Sequence, residues 1–381
     1  MVSDTTDRGF AEEQASSRWT INTPGLVLDA DALAFNIGRM MTELSGTGRA
    51  LRPHAKSHKC PAIAKAQVAA GAVGICCATL DEAEIMAAAG VRSILLTSPI
   101  TVPQKLTRLV RLLATAPDLM VVVDHPDAAR ALAAAARSAG AACGVLIDIE
   151  LGFGRTGVPD AAAAETLART IAPEDGLVYR GIQAYGGQLQ HIGDYPKRLA
   201  ACRNAHRFIS EIVERLTAIG SPPPIVSGGG TGSFTFDMKE GPFTEIQAGS
   251  YIFMDAEYEQ VAFAEDAPAW PFTRSLFVQT SVISVNGQGF VTTDAGTKAF
   301  ALNGPQPIIT DPDLGESKYE YAGDEHGRLR LSPSTPKPRL GARVECLTSH
   351  CDPTVARYDY YNVVRGDRVI DTWSIAARGW R

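Results

Sequence analysis

Residues 50–90 have the sequence ALRPHAKSHKCPAIAKAQVAAGAVGICCATLDEAEIMAAAG. It contains two short apolar runs, Ala50–Ala55 and Val73–Ala78, and each is followed by an Ala-rich amphipathic stretch, Ala62–Ala70 and Leu80–Ala89. This alternation is typical of parallel strands that are joined by crossover helices. The segment therefore predicts the first two βα units of an α/β domain.

The same alternation continues to about residue 250. Six further apolar runs follow, namely Ser93–Thr97, Leu119–Val123, Gly144–Ile149, Gly181–Ala184, Pro224–Ser227 and Thr244–Gln247. Eight βα units predict a (β/α)8 TIM barrel. A Rossmann-type open sheet is the alternative, but no G-x-G-x-x-G phosphate fingerprint follows the first run.

Beyond Asp255 the helical periodicity fades and β-rich stretches take its place. They are Ser275–Val285, Gly289–Thr293, Ala342–Thr348 and Asp367–Ile375, separated by Pro/Gly/Asp-rich turns. We therefore expect a barrel domain over 30–255 and a second, mostly β domain over 256–381, joined by the N-terminal segment 1–29.

The N-terminal segment contains one more strand-like run, Leu26–Asp29. In the barrel it would be a ninth strand, so we assign it to the β domain, with Asp29 or Asp31 capping the helix that follows. Residues 1–20 are expected to form a loosely held arm.

Composition excludes several classes of protein. The 381-residue chain has a net charge of -6 and no cluster of Lys and Arg, which argues against nucleic-acid binding. Seven cysteines fit no paired disulfide framework and predict free thiols in the cytoplasm. No apolar run approaches the roughly 20 residues that span a bilayer, and no signal peptide is evident. We expect a cytoplasmic enzyme that acts on a small molecule.

A basic segment ends the first predicted strand. Continued strand geometry would place Arg52, His54, Lys56 and His58 on one face, toward the barrel mouth, with Lys59 on the other face. Neighbouring cations would lower the pKa of the Lys56 amine and favour a Schiff base with an aldehyde. A solvated basic turn is the alternative interpretation.

Two glycine-containing loops follow the seventh and eighth predicted strands. They are Ser227–Ser233, with sequence SGGGTGS, and Gln247–Tyr251, with sequence QAGSY. Barrel enzymes frequently bind phosphate with the loops at these two positions, because backbone N–H groups can converge there on an anion. The alternative is a pair of flexible loops.

His350 and Asp352 form a third chemical motif. On a β-strand, residues two apart face the same side, so an imidazole and a carboxylate could bind one divalent ion such as Mn, Mg or Zn. By itself a His-x-Asp pair also fits a surface hydrogen bond.

In combination these motifs resemble the D-threonine aldolase/D-serine dehydratase family, which comprises fold-type III pyridoxal phosphate enzymes related to alanine racemase. The resemblance covers nearly the whole chain. It rests on the following segments: Thr23-Pro24, Arg52–Lys59, Gly74–Cys77, Gly154-Arg155-x-Gly157, Gly181–Tyr185, Ser227–Gly232, Gly249-Ser250-Tyr251, Asp294-Ala-Gly, Asp324-Glu-His-Gly and Ser349–Pro353.

The resemblance implies roles for individual residues. Lys56 would hold the cofactor, His350 and Asp352 would bind the metal, and an Asp rather than a Cys at 352 favours the D-threonine aldolase branch. The implied cofactor-binding residues are Lys56, His54, Arg155, Gln183, Tyr185, Gln190, Gly229, Gly230, Thr231, Gly249, Ser250 and Tyr251. Arg155, Gln183, Tyr185 and Gln190 would surround the ring. The family also implies a homodimer.

The expected reaction is retro-aldol cleavage of a D-3-hydroxy-amino acid, threonine-like, to glycine and an aldehyde. Either metal-bound water or a histidine such as His58 could take the hydroxyl proton; no role is assigned to His191 or His326. The alternatives are a D-serine or 3-hydroxyaspartate dehydratase, a 3-hydroxyaspartate aldolase and a non-catalytic pyridoxal phosphate carrier.

Overall fold

Two β-sheets organise the chain. A computed structural model describes residues 17–267 and 269–379, and the elements below belong to these residues. Within these ranges, no helix combines the length and the apolar character needed to cross a bilayer. All seven cysteines are buried and free, as the sequence predicts.

The first sheet is a parallel barrel that follows β1 (Gly25–Asp29) and α1 (Ala30–Leu44). Its elements are β2 (Ala50–Leu51), α2 (Pro61–Ala69), β3 (Ile75–Cys77), α3 (Leu80–Ala88), β4 (Ile94–Leu96), α4 (Pro103–Leu113), β5 (Met120–Val123), α5 (Pro126–Ser138), β6 (Cys143–Ile149), α6 (Ala161–Ile171), β7 (Leu177–Ala184), α7 (Tyr195–Ala218), β8 (Ile225–Gly228), α8 (Phe234–Glu240) and β9 (Glu245–Ile246). The strand order is β2-β9-β8-β7-β6-β5-β4-β3. A parallel bridge between His54 and Cys76 joins the two ends, so the predicted TIM barrel is confirmed.

Burial and capping explain why these segments fold as they do. Every residue of β5 and β6 is buried, as expected for parallel strands that are covered by helices on the outside. Asp29 caps α1, since its carboxylate accepts the N–H groups of Asp31 and Ala32 at 3.0 Å. Of the two residues predicted to cap this helix, Asp29 and Asp31, Asp29 is therefore confirmed.

The first barrel strand is shorter than predicted. β2 ends at Leu51, and after the His54 bridge the chain turns into a 3₁₀ helix over Ala55–Ser57. Pro53, which has no N–H to give to a strand ladder, lies just before this turn. The expectation that Lys56 and His58 continue one strand face is therefore wrong.

The second sheet is mostly antiparallel and has nine strands, one of which is β1. The others are β10 (Leu276–Ser284), β11 (Phe290–Thr293), β12 (Ile308–Ile309), β13 (Lys318–Tyr321), β14 (Gly327–Arg330), β15 (Arg343–Leu347), β16 (Tyr360–Arg365) and β17 (Arg368–Ser374), with the short helix α9 (Cys351–Val355) between β15 and β16. β1 pairs antiparallel with β10 and parallel with β16. The N-terminal strand thus lies in the β sheet, as assigned from the sequence, and we retain 30–255 and 256–381 as proposed domain boundaries.

The predicted N-terminal arm is only partly described. Residues 1–16 lie outside the described residues, whereas Arg18–Thr20 form a 3₁₀ turn. The Arg18 guanidinium donates two hydrogen bonds of 2.7 Å to Glu345. Arg18 is therefore held against β15, in contrast to the expected loose arm.

Candidate active site

A cleft opens at the carboxyl ends of the barrel strands. The cavity in it has a volume of about 200 Å³. The side chains that line it are His54, Lys56, Ala78, Thr97, Ser98, Arg155, Thr156, Gln183, Tyr185 and Gln247. Five of the residues expected to contact a cofactor, His54, Lys56, Arg155, Gln183 and Tyr185, therefore share one cleft.

Lys56 lies on the 3₁₀ turn at the edge of this cleft. Its ammonium group forms an ion pair with Asp352 of α9, and the two side chains are 35% and 13% exposed. Burial lowers the pKa of Lys56, but the Asp352 carboxylate outweighs burial and raises the pKa above its usual value. The predicted lowering is wrong, since Arg52 turns away and pairs with Glu245 at the amino end of β9.

The two neighbouring histidines are both buried. His54 Nε2 lies 3.1 Å from Thr97 Oγ1, and burial lowers the pKa of His54, aided by the positive charge of Lys56. His58 is fully buried and its Nδ1 accepts the N–H of Cys60 at 3.1 Å. Burial lowers the pKa of His58 to about 3. This corrects the prediction that His58 faces the mouth, because the 3₁₀ turn directs its imidazole into the core.

Polar side chains form the floor and one wall of the cleft. Gln183 Nε2 donates to Asp148 Oδ1 at 2.9 Å, and Gln247 Nε2 donates to Gln183 Oε1 at 3.2 Å. The Arg155 guanidinium lies over the Tyr185 ring, 5.3 Å from its centre, and forms no ion pair among the described residues. The cleft therefore offers one cation whose charge is not already neutralised by a carboxylate.

The loop 229–233, which we call the glycine loop, follows β8 and is buried throughout. Gln190 lies behind it, because its Oε1 accepts the Gly232 N–H at 2.9 Å and its Nε2 donates to Ser233 Oγ at 3.0 Å. Gln190 does not line the cleft. Its amide group supports the loop from behind, and its contact with the cofactor ring stays a prediction.

The loop after β9 packs against both the glycine loop and the lysine turn. The Tyr251 N–H donates to Thr231 Oγ1 at 3.0 Å, and the Tyr251 hydroxyl accepts from Gln67 Nε2 at 3.1 Å inside the core. A Cβ on Gly249 would lie 3.1 Å from the His54 carbonyl oxygen. The two loops and the lysine turn therefore meet at one end of the barrel, as their order along the chain predicts.

An acidic cluster with one histidine lies beside Asp352. Ligand atoms of Asp255, Glu257 and His350 are within 4.8 Å of one another. His350 Nδ1 is 3.6 Å from Glu257 Oε2, and His350 Nε2 is 4.0 Å from Asp352 Oδ2. Each imidazole nitrogen therefore has a carboxylate nearby.

This cluster differs in two ways from the predicted metal motif. Asp352 lies in the first turn of α9 and not on a strand, although it and His350 still face each other. Asp255 and Glu257 were missed, because they follow the last barrel strand in a segment without periodicity. The spacing Asp-x-Glu directly after the second loop is the signal that could have indicated them.

His191 is a further residue to which the sequence analysis gave no role. Its Nε2 lies 3.3 Å from Glu257 Oε2, its ring is 6.4 Å from the His350 ring, and its side chain is 41% exposed. Burial and the positive charges of His350 and Lys56 lower the pKa of His191 to about 4. A neutral, accessible imidazole therefore lies next to the cluster.

A lysine-bearing barrel mouth that is closed on one side by a β domain defines the alanine-racemase-like class of protein, and the comparisons agree. Residues 28–257 match the family described as alanine racemase, N-terminal domain, and residues 275–364 match the family described as putative serine dehydratase domain. The chain is 39% identical to D-threonine aldolase of Arthrobacter sp, over 94% of this chain and 93% of that protein.

Two other relatives extend the comparison. The 3-hydroxy-D-aspartate aldolase of Paracoccus denitrificans is 36% identical, over 94% of this chain and 92% of that protein. The crystal structure of D-threonine aldolase from Filomicrobium marinum superposes with a TM-score of 0.92 at 36% identity and covers 96% of this chain and 98% of that one. The chain therefore belongs to the D-threonine aldolase/D-serine dehydratase family of fold-type III pyridoxal phosphate enzymes.

Proposed function

We propose that this protein is a carbon–carbon lyase that cleaves D-3-hydroxy-amino acids, threonine-like, to glycine and an aldehyde with pyridoxal phosphate and a divalent metal. One observation carries the proposal. Lys56 pairs with Asp352, and Asp352 lies 4.0 Å from His350 of the acidic cluster, so a lysine and a cation-binding cluster share one cleft. The similarity to D-threonine aldolase supports the same reaction.

The residues present fit the cofactor. The backbone N–H groups of Gly229, Thr231, Gly249 and Ser250 donate no hydrogen bond within the described part of the chain, and such groups suit a phosphate. These four groups would hold the phosphate, while His54, Arg155, Gln183 and Tyr185 would surround the ring. Gly230 and Tyr251, whose N–H groups donate to Ser233 Oγ and Thr231 Oγ1, would shape the two loops around the phosphate. Bound pyridoxal phosphate supplies an electron sink for cleavage next to the amino group.

The residues present also fit a divalent metal. Glu257 Oε2 is buried and accepts no hydrogen bond from the described residues, so a buried carboxylate oxygen is left for a cation. Two or three carboxylates with one imidazole suit Mn, Mg or Zn. We propose His350 and Asp352 as ligands, with Asp255 and Glu257 beside them. A bound ion would act as a Lewis acid on the substrate hydroxyl.

His191 is the residue that we propose as the acceptor of the hydroxyl proton. His54 and His58 are buried, whereas His191 is partly exposed and adjoins the cluster. A general base must reach the proton that it removes and must be neutral before it does so. Arg155, whose guanidinium forms no ion pair among the described residues, supplies positive charge in the cleft, where a substrate carboxylate would bind.

Oligomeric state and location belong to the same proposal. We propose a homodimer in which the β domain of one protomer covers the barrel mouth of its partner and excludes water from the reaction. We also propose a cytoplasmic location, which suits an enzyme with buried, free cysteines.

Two other activities stay open to experiment. The identity to a 3-hydroxy-D-aspartate aldolase favours a substrate with a second carboxylate as the main alternative. The match to a putative serine dehydratase domain favours elimination, which would release ammonia and a keto acid. A non-catalytic pyridoxal phosphate carrier would need neither the acidic cluster nor His191.

A substrate panel tests the proposal. Purified protein loaded with pyridoxal phosphate and Mn is given D-threonine, L-threonine, D-serine and 3-hydroxy-D-aspartate, and glycine, aldehyde, keto acid and ammonia are quantified. We expect glycine and acetaldehyde in equal amounts from D-threonine. Glyoxylate as the dominant aldehyde would establish the hydroxyaspartate alternative, and ammonia with a keto acid would contradict the aldolase assignment.

A further inference from the structure

A buried histidine–aspartate pair lies beneath the glycine loop, and the proposed mechanism does not use it. His206 of α7 and Asp237 of α8 are 6% and 2% exposed, and His206 Nε2 lies 2.8 Å from Asp237 Oδ1. A carboxylate this deeply buried is costly unless its oxygen atoms are hydrogen-bonded. His206 occupies only one oxygen of Asp237, so the second oxygen needs a partner elsewhere.

Asp237 Oδ2 contacts the glycine loop directly. It accepts a hydrogen bond of 2.5 Å from the Ser233 hydroxyl. A Cβ on Gly229 would lie only 2.3 Å from the same oxygen, and Gly229 has a φ of +70° that disfavours side chains. The loop therefore packs directly against the Asp237 carboxylate. This contact leaves no room for a side chain at position 229.

The Ser233 hydroxyl connects the Asp237 carboxylate to the backbone of the loop. A hydroxyl has a single proton, and that of Ser233 is given to Asp237, so its lone pairs must accept. They accept the Gly230 N–H at 3.2 Å and Gln190 Nε2 at 3.0 Å. The direction of these hydrogen bonds is thus fixed by Asp237.

Along the loop, backbone N–H groups that are hydrogen-bonded within the protein alternate with N–H groups that are not. The N–H groups of Gly230 and Gly232 donate backward, to Ser233 Oγ and to Gln190 Oε1. Those of Gly229 and Thr231 find no acceptor among the residues that the structure describes. Because neighbouring N–H groups are fixed from behind, these two are left for a ligand in front of the loop.

We propose that His206 and Asp237 are positioning residues, which act through Ser233 to hold the glycine loop in the conformation that binds the phosphate ester of the cofactor. This inference rests on the proposed function, since it presupposes pyridoxal phosphate. Neither side chain touches the phosphate. Their role is to set the direction of the N–H groups that do.

The same two helices supply a matched control. Arg203 of α7 and Glu240 of α8 form an exposed ion pair with distances of 2.7 and 2.8 Å, and neither side chain hydrogen-bonds to the glycine loop among the described residues. If His206 and Asp237 only joined α7 to α8, loss of the buried pair and loss of the exposed Arg203–Glu240 pair would have similar effects on cofactor affinity. If they position the loop, only the buried pair affects phosphate binding.

The experiment compares two ligands that differ only in the phosphate. Cofactor-free wild type and the variants Asp237→Ala, Ser233→Ala, His206→Phe and Arg203→Gln are titrated with pyridoxal phosphate and with pyridoxal, and binding is followed by absorbance. We expect the first three variants to lose about tenfold or more in affinity for pyridoxal phosphate, which is about 1.4 kcal/mol. Their affinity for pyridoxal should change less than about twofold.

Rescue by a conservative variant adds a second test. His206→Gln retains a side-chain N–H donor toward Asp237, so its affinity for pyridoxal phosphate should lie closer to wild type than that of His206→Phe. Arg203→Gln should bind both ligands as wild type does. Ser233→Ala removes no buried charge, so it decides the question if Asp237→Ala does not fold.

The outcomes separate this inference from the proposed function. Equal losses for both ligands in the loop variants, or no loss for either, would overturn the positioning role and leave a structural pair. Failure of wild type itself to bind pyridoxal phosphate would contradict the proposed function and, with it, the inference.

Discussion

Lys56 shows how a single side chain connects the two domains. Its ammonium group, on the barrel, pairs with Asp352, on the β domain, and Asp352 in turn adjoins His350. The sequence indicated each of these three residues. It did not indicate the ion pair, because residues almost 300 positions apart in the chain are brought together only by the packing of α9 against the 3₁₀ turn.

The first prediction concerns the attachment of the cofactor. Reduction of the loaded protein with borohydride, followed by peptide mapping, should place the pyridoxal group on Lys56, because this amine lies in the cleft. Lys56→Ala should abolish absorbance at about 420 nm. Lys59, which pairs with Glu82, provides the comparison: Lys59→Ala should retain the absorbance, and an adduct on Lys59 would refute the assignment.

The second prediction concerns the proton acceptor. His191→Gln should lower kcat by about 10²–10⁴ while cofactor absorbance is unchanged, since only the proton transfer is lost. His125 is an exposed histidine that caps α5, away from the cleft, and His125→Gln is the control. Steady-state kinetics on D-threonine measure both variants. A kcat of His191→Gln within threefold of wild type would exclude this role.

At the scale of elements, the loops at the carboxyl ends of the strands set the site, and they differ in how well the sequence reveals them. The barrel was predictable because eight apolar runs alternate with amphipathic helices. The extent of β2 was not, since Pro53 and the turn at Ala55–Ser57 override the apparent strand pattern. The burial of His58 follows from that turn, and strand parity therefore gave the wrong direction for its imidazole.

Side chains behind the loops were the least predictable. The family resemblance indicated Gln190, but not its position behind the loop. Asp237 carries no motif of its own, and its contact with the glycine loop depends on how α8 packs. The same holds for Asp255 and Glu257, which become a cluster only when α9 brings His350 beside them. Motif spacing finds residues that are close in sequence, whereas these partners are close only in space.

The third prediction tests the close fit of the glycine loop. A Cβ on Gly230 would lie 2.5 Å from Gln190 Oε1, so Gly230→Ala must displace Gln190 or the loop. We expect the affinity for pyridoxal phosphate, measured by titration, to fall about tenfold or more. Gly38→Ala, at an open position in α1, is the control and should bind normally. Normal binding by Gly230→Ala would show that the loop tolerates a side chain.

At the scale of the whole molecule, the site lies where barrel and β domain meet, and one face of it is open. Phe153 and Leu302 are 48% and 59% exposed; Phe153 lies beside Arg155, and Leu302 precedes Asn303, which contacts His350. The partner protomer of the proposed homodimer would cover these two apolar side chains.

The fourth prediction is that this surface is covered in a homodimer. Light scattering at the concentration used for the assay should give twice the mass of the 40.5 kDa chain. Replacing Phe153 and Leu302 together with Ser should shift the protein toward monomer and lower activity, because water then enters the site. A fully active monomer would rule out the proposed cover.

The central claim is that one cleft combines a cofactor and a metal with separable roles, and the most direct measurement follows both in a single preparation. Cleavage of D-threonine and cofactor absorbance are recorded before chelation, after chelation and after Mn is added back, for wild type and for Asp352→Ala. In wild type, chelation should remove most cleavage and Mn should restore it, while absorbance persists throughout. Asp352→Ala should keep the absorbance but regain no cleavage with Mn. Cleavage that survives exhaustive chelation, or that is unchanged in Asp352→Ala, would contradict the claim.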